Sequence, residues 1–351
     1  MNQKVFFLFN TIILFIIGCK HDPAFPKESD YHPHFLKLEI PAGLPPMHIP
    51  EDNPLTEEGV FLGRKLFYEP LLSANNKISC ASCHQHQNYF KDSNFALSTG
   101  VDGFRGERNA MTLFNVGYEK KFFWDGGAND LESQALGPIT NPLEMHETML
   151  NVVNKLQSNP EYPSLFKKAF GTDKISTKFI LYALAQFERT LLSGNTRFDK
   201  WQRGEITLTS KEMNGFNIFL DEQKGTCAHC HTLGNTFTDF EFRDIGLDSI
   251  PLDLGRYRIT LNPDDIGKFK TSTLRNIAMT APYMHDGRFA TLRECIEFYN
   301  TGFHYSKNLA PELKNIPKGR LSDDDIDDLI VFLNTLTDTS FIHNKNFSNP
   351  K

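Results

Sequence analysis

Cys80-Ala81-Ser82-Cys83-His84 and, in the other half of the chain, Cys227-Ala228-His229-Cys230-His231 are two copies of one pattern, Cys-x-x-Cys-His, in a sequence of 351 residues. This spacing is the attachment signature of c-type haem: the two thiols add across the vinyl groups, and the adjacent histidine supplies the proximal nitrogen to iron. The competing use of paired cysteines is a zinc or redox dithiol site. A tetrahedral zinc site would have to gather its four ligands from two motifs in opposite halves of the chain. Cys80, Cys83 and His84 are therefore read as one haem site and Cys227, Cys230 and His231 as a second, with His84 and His231 on the irons.

Outward from the motifs, the N-terminus sets the compartment. Lys4 precedes an apolar run from Val5 to Ile17, too short to span a bilayer and suited to an export signal. The run ends in Ile16-Ile17-Gly18-Cys19, which resembles a lipobox, so residues 1–18 are read as a lipoprotein signal peptide and Cys19 as the lipid anchor. An ordinary signal peptide or an uncleaved anchor would export the chain equally well. The expectation is an exported lipoprotein on the periplasmic side, where c-type haem is attached in bacteria. Of six cysteines, one goes to lipid and four to haem. Cys295 remains, so no even set is left for a disulfide framework, and it reads as a small buried hydrophobe. The net charge of -6 becomes one unit more negative when Lys4 is removed. That argues against nucleic acid and is compatible with a basic redox partner.

Residues 19–54 are rich in Pro and His without sustained periodicity and read as a tether, with His21, His32, His34 and His48 as solvated side chains. Beyond it the periodicity is helical. Ile326, Leu329, Ile330, Leu333 and Leu336 form one apolar face behind a Ser322 cap with Asp325 three residues on, and Phe179, Ile180, Ala183, Leu184, Phe187 and Leu191 repeat the pattern. Further helices are expected near 55–67, 148–157, 209–222 and 291–300. The fold class that follows is mostly α, two cytochrome c-like helical domains each wrapping one covalently attached c-type haem. Their junction is expected around 195–208, where Ser193-Gly194-Asn195 breaks the helical pattern.

Between and after the motifs lies an ordered set of stretches: Gly106-Glu107-Arg108-Asn109, Phe123-Trp124-Asp125-Gly126, Leu131-Glu132-Ser133-Gln134-Ala135, Gly137-Pro138 and Leu143-Glu144-Met145, then Thr273-Leu274-Arg275-Asn276 and Thr280-Ala281-Pro282-Tyr283-Met284-His285-Asp286-Gly287. From about Leu55 to Leu336 the chain resembles the bacterial dihaem cytochrome c peroxidase/MauG family. The resemblance implies a peroxidatic haem domain over 55–200, an electron-transfer haem domain over 201–340 and a tail over 341–351. It implies hydrogen peroxide as substrate and a small redox protein as electron donor, and it is compatible with a homodimer. Glu144 matches the family's acid/base glutamate; a carboxylate over an open iron can take a proton from peroxide and return it to the leaving oxygen. Gln134 matches a hydrogen-bonding amide of the same pocket, which polarises peroxide without titrating. Trp124 matches the aromatic residue between the haems. Asn109, Thr280 and Pro282 match calcium ligands, one side-chain oxygen and two backbone carbonyls, suited to a hard cation.

The chain departs from the peroxidase pattern in two places. Many relatives carry a histidine after the first motif that closes the resting peroxidatic iron, whereas Phe95-Ala96-Leu97-Ser98-Thr99-Gly100-Val101 has none. His86 lies too close to His84 to reach the opposite face. The first haem is therefore expected to be open and to need no reductive activation. The second haem's axial methionine position is Tyr299, as in MauG-type proteins; Met284 is the competing ligand. A phenolate favours ferric over ferrous iron. Against MauG, the tryptophan two residues before its second motif is Gly225 here. Three readings remain open: a dihaem peroxidase, a MauG-like oxidase of a protein or organic substrate, and a non-catalytic electron carrier.

Overall fold

The computed structural model describes residues 31–92, 95–234 and 236–350. Cys19, His21 and the leader lie outside the described residues. Thirteen helices and one two-stranded sheet are described: α1 (Glu57–Phe67), α2 (Cys80–Cys83), α3 (Leu131–Gln134), α4 (Leu136–Thr140), α5 (Met149–Ser158), α6 (Tyr162–Phe170), α7 (Thr177–Arg189), α8 (Arg197–Gln202), α9 (Ser210–Leu220), β1 (Phe242–Arg243), α10 (Tyr257–Thr260), β2 (Phe269–Lys270), α11 (Leu292–Glu297), α12 (Pro311–Lys314) and α13 (Asp323–Asn334). The strands pair antiparallel, Phe242 opposite Lys270 and Arg243 opposite Phe269. No helix among the described residues is long and apolar enough to cross a membrane.

The long helices begin where side-chain caps satisfy their first amides. Thr56 accepts from Gly59 N at α1 and Ser176 from Phe179 N at α7. Capping boxes, Thr209 with Glu212 and Ser322 with Asp325, open α9 and α13. These helices then pair in the same way twice. A Cβ on Gly63 of α1 would lie 1.8 Å from the Ala183 carbonyl oxygen of α7, and one on Gly215 of α9 would lie 1.9 Å from the Asp328 carbonyl oxygen of α13. Phe187 and Phe332 flank the two crossings. Only glycine permits so close an approach of one helix to the backbone of another.

The duplication extends to the loops. Phe122 bridges Ala128 across the Trp124 loop, and Tyr283 bridges Phe289 across the His285 loop. In each, the residue after the bridge, Phe123 or Met284, has a positive φ, 65° and 71°. Each loop follows an asparagine in the left-handed region, Asn115 and Asn276. Two apolar cores match the two frames, one around Leu62, Phe67, Phe90, Leu184 and Phe187, the other around Phe198, Phe219, Phe237, Phe332 and Leu336.

Three stretches differ from the sequence expectation. Residues 31–54, expected as tether, lie along the body: Tyr31 donates to the Ala169 carbonyl at 2.6 Å, Tyr118 donates to that of Pro45 at 2.8 Å, and Asn53 is buried against Glu132. The expected tail beyond 340 is part of the first core, since Phe341 and Phe347 pack there and Tyr68 donates to the Phe347 carbonyl at 2.7 Å. The stretch 195–208 holds α8, too short to show periodicity. Its buried Asp199 takes a bidentate pair from Arg275, both bonds at 2.9 Å.

Candidate active site

Each Cys-x-x-Cys-His motif forms one tight helical turn, α2 for the first and a 3-10 turn over Cys227–His229 for the second. The histidine that follows is then locked. Nδ1 of His84 faces the Phe90 carbonyl at 3.1 Å, and Nδ1 of His231 faces the Phe237 carbonyl at 3.1 Å, each six residues downstream. A neutral imidazole must donate from Nδ1 to such an acceptor, which leaves Nε2 as the free base that an iron requires. Burial keeps both rings neutral by lowering their pKa. The four thiols are unpaired, and burial pushes Cys83 and Cys230 up to about 11 and Cys227 up to about 12. In the second half these groups open onto a largely apolar cavity whose walls include Leu329, Leu333 and Ile296. The residues at both motifs fit covalently held haem: paired thiols, an oriented imidazole and, at the second, an apolar slot.

Tyr299 and Met284 line that same cavity, so both sequence candidates for the second axial position reach it. Tyr299 sits in a π-helical turn, Phe298–Gly302, that continues α11; such turns re-aim one side chain out of helical register. Burial, and after it the thiols Cys295, Cys230 and Cys227, raises its phenol pKa. Cys295, expected as a plain core residue, is on the cavity wall one helical turn from Tyr299. Gly225 packs so that a Cβ would fall 2.0 Å from the Ile218 carbonyl oxygen. Any side chain at this position would force that contact to shift.

At the first motif, Glu144 is held by Asn141, whose Nδ2 donates to Oε1 at 2.7 Å. Burial raises the carboxyl pKa and the Asn141 bond lowers it, with burial the larger effect. Its charge is felt at the thiols of Cys80 and Cys83. The segment without histidine lies directly beside it: Val101 N donates to the Glu144 carbonyl at 2.8 Å, and a Cβ on Gly100 would meet the Leu143 carbonyl at 2.1 Å. His86 is locked in the core between Phe90 and Phe347. Gln134 ends α3 and is half-buried. Asn141 was missed from the sequence; its place three residues before Glu144 is the signal that could have found it.

Between the halves, Trp124 reaches the wall of the second cavity. Its Nε1 donates to the Asn109 carbonyl at 2.9 Å, while Asn109 N donates to the His285 carbonyl at 2.7 Å. Arg108 ties Asp125, next to Trp124, to Asp253. Asn109 Nδ2 donates to the Ala96 carbonyl at 2.8 Å. Its Oδ1 and the carbonyls of Thr280 and Pro282 accept no hydrogen bond from described residues, and oxygen is the donor type a hard cation takes. The carbonyl between them, of Ala281, takes the Lys91 ammonium at 2.5 Å.

Comparison with known proteins agrees with this geometry. The family profile of di-haem cytochrome c peroxidase matches residues 57–207. Methylamine utilization protein MauG of Methylorubrum extorquens is 38% identical over 293 residues, covering 82% of this chain and 80% of that protein. Cytochrome c551 peroxidase of Nitrosomonas europaea is 36% identical over 295 residues, covering 82% and 81%. Among solved structures, a MauG-like protein associated with microbial copper homeostasis is 33% identical with a TM-score of 0.83, covering 90% of this chain and 99% of that one. The diheme peroxidase BthA of Burkholderia thailandensis, at 22% identity and a TM-score of 0.73 over 90% of this chain and 98% of that one, shares the fold. The chain belongs to the di-haem cytochrome c peroxidase family, MauG included. Two c-type haems follow from that membership together with the two motifs.

Proposed function

We propose that this protein reduces hydrogen peroxide to water at the haem held by Cys80, Cys83 and His84, drawing electrons through the haem held by Cys227, Cys230 and His231 from a small exported cytochrome or similar redox protein. The observation that carries the reading is the half-buried Glu144 carboxyl, held by Asn141 beside the first motif, with a histidine-free segment packed against it. The bound haems supply the redox centre that peroxide meets and the store for donor electrons. Glu144 takes the proton from the near oxygen of peroxide and returns it to the far oxygen, which leaves as water. Gln134 hydrogen-bonds the substrate. The reaction, H2O2 with two electrons and two protons giving two waters, balances with one carboxylate that ends as it began. Trp124 stands between the two halves and shortens the electron path. The reading is tested by steady-state turnover with a reduced soluble cytochrome: two donor molecules oxidised per peroxide support it, and no peroxide-dependent oxidation contradicts it.

The duplicated helix frame supports one cytochrome c-like haem domain in each half, 55–200 and 201–340. Asn109 Oδ1 and the carbonyls of Thr280 and Pro282 are the ligands for one calcium ion. The leader and Cys19 make the mature chain a lipid-anchored protein on the periplasmic side, and two copies can pair as a homodimer.

A second reading, a MauG-like oxidase of a protein or organic substrate, is favoured by Tyr299 on the second cavity. Gly225, which stands where the MauG pattern has its tryptophan and packs on the Ile218 carbonyl, opposes it.

A further inference from the structure

The last turn of α7 carries a carboxyl that the proposed chemistry does not use. Glu188 is 4% exposed, and its side chain makes no hydrogen bond or ion pair with any described residue. The duplicated helix crossing says where it points. Ala183 and Phe187 meet Gly63 as Asp328 and Phe332 meet Gly215, so one helical register relates α7 to α13. In that register Leu184 corresponds to Leu329, and Glu188 to Leu333. Leu329 and Leu333 are walls of the cavity around Cys227, Cys230 and His231. The first half therefore presents a carboxyl at its motif where the second presents an isobutyl group. Consistent with this, Glu188 acts on the Cys80 thiol more strongly than any other charged group.

No cation among the described residues pairs with it. Arg189, its neighbour on α7, spends both terminal nitrogens on Glu132 of α3, at 2.5 and 2.8 Å. On α1, Arg64 turns to the Asn346 carbonyl, Lys65 to Glu161 and Glu58 to His34. Lys155 of α5 pairs with Glu147, and Lys167 and Lys168 of α6 are exposed. Tyr118, from the turn after Asn115, binds the Pro45 carbonyl. On α2 the titratable groups are Cys80 and Cys83. Burial without a partner pushes the Glu188 carboxyl up to about 8, Arg189 pulling it down and Glu132 pushing it up.

We propose that Glu188 is the proton-exchanging residue of the first haem pocket, taking one proton from solvent when the iron at His84 gains one electron and releasing it when that electron leaves. The proposal rests on the reading that the first motif carries haem. The balance is one electron from the donor to the iron and one proton to the carboxylate, so the pocket's net charge is unchanged. An ionised carboxylate beside the pocket favours the more positive, oxidised iron. The reduction potential of the first haem therefore falls as pH rises through the Glu188 titration and is flat on either side of it.

The test is a spectroscopically monitored redox titration of the two-haem protein across the neutral to alkaline range, in wild type, Glu188→Gln and Glu188→Leu. The first haem is identified by its loss in a Cys80→Ala, Cys83→Ala protein, and haem content is counted by pyridine haemochrome. The expected result is a first-haem potential that falls with pH in wild type only. In both variants it is flat and sits above wild type on the alkaline side, while the second haem, walled by Leu333, is unchanged by either substitution. Two haems with the same fall in both variants as in wild type would overturn the role of Glu188 alone. A wild-type protein with no haem lost in the cysteine variant would overturn the reading beneath it as well.

Discussion

The side-chain amide of Asn141 donates to Oε1 of Glu144 at 2.7 Å. That bond opposes the burial that raises the Glu144 pKa, and so sets the pH at which the carboxylate becomes available as a base. The acid limb of kcat/KM for peroxide is predicted to lie above the ordinary carboxylate range, with activity lost as pH falls through it. Asn141→Ala removes the lowering influence and should move this limb to higher pH. A limb that stays put would mean that Glu144 is not the titrating base.

Glu144→Gln keeps the shape of the side chain and removes its proton chemistry. Peroxide turnover should fall about 10²- to 10⁴-fold, the usual range for one general acid-base group, with two haems per chain retained. Steady-state kinetics and a haem count check both parts.

Tyr299→Phe should change the spectrum of the second haem and leave the first unaltered, because Tyr299 lines the cavity around Cys227, Cys230 and His231. Met284→Leu should leave both spectra as they are. The reverse pattern in electron paramagnetic resonance would assign the ligand to Met284.

Gly63→Ala and Gly215→Ala each push a methyl into a facing carbonyl oxygen, so each should destabilise its helix pair by about 1–3 kcal/mol, the usual cost of overpacking. Thermal unfolding of the loaded protein measures it. Chelation with EGTA should lower the melting temperature and release about one calcium per chain, counted by elemental analysis, if the open oxygens at Asn109, Thr280 and Pro282 hold the ion.

Much of the fold was legible where chemistry is local. The two attachment turns, the Ser322–Asp325 capping box and the helices at 57–67, 149–158 and 210–220 stand in the sequence because each rests on residues a few positions apart. The register in which the two helix pairs repeat was not legible. Its contacts run from glycine to backbone carbonyl, so Ala183 can answer to Asp328 without any likeness of side chain. The packing of Phe341 and Phe347 into the first core depends on contacts across most of the chain length, and α8 is a helix held by a distant arginine. Glu144, Gln134 and Trp124 are read as site residues through their motif neighbours, whereas Glu188 has no local signature and shows only once α7 and α13 are set in the same register.

The central claim is that the first haem meets peroxide directly in the resting, fully oxidised protein, with Glu144 as its base. Rapid mixing of that protein with one equivalent of hydrogen peroxide and no reductant, followed by haem absorption, tests it most directly. An immediate spectral change in wild type that is lost in Glu144→Gln is the predicted result. No change in wild type until one haem is first reduced would contradict the account, because it would mean that a sixth ligand closes the resting iron.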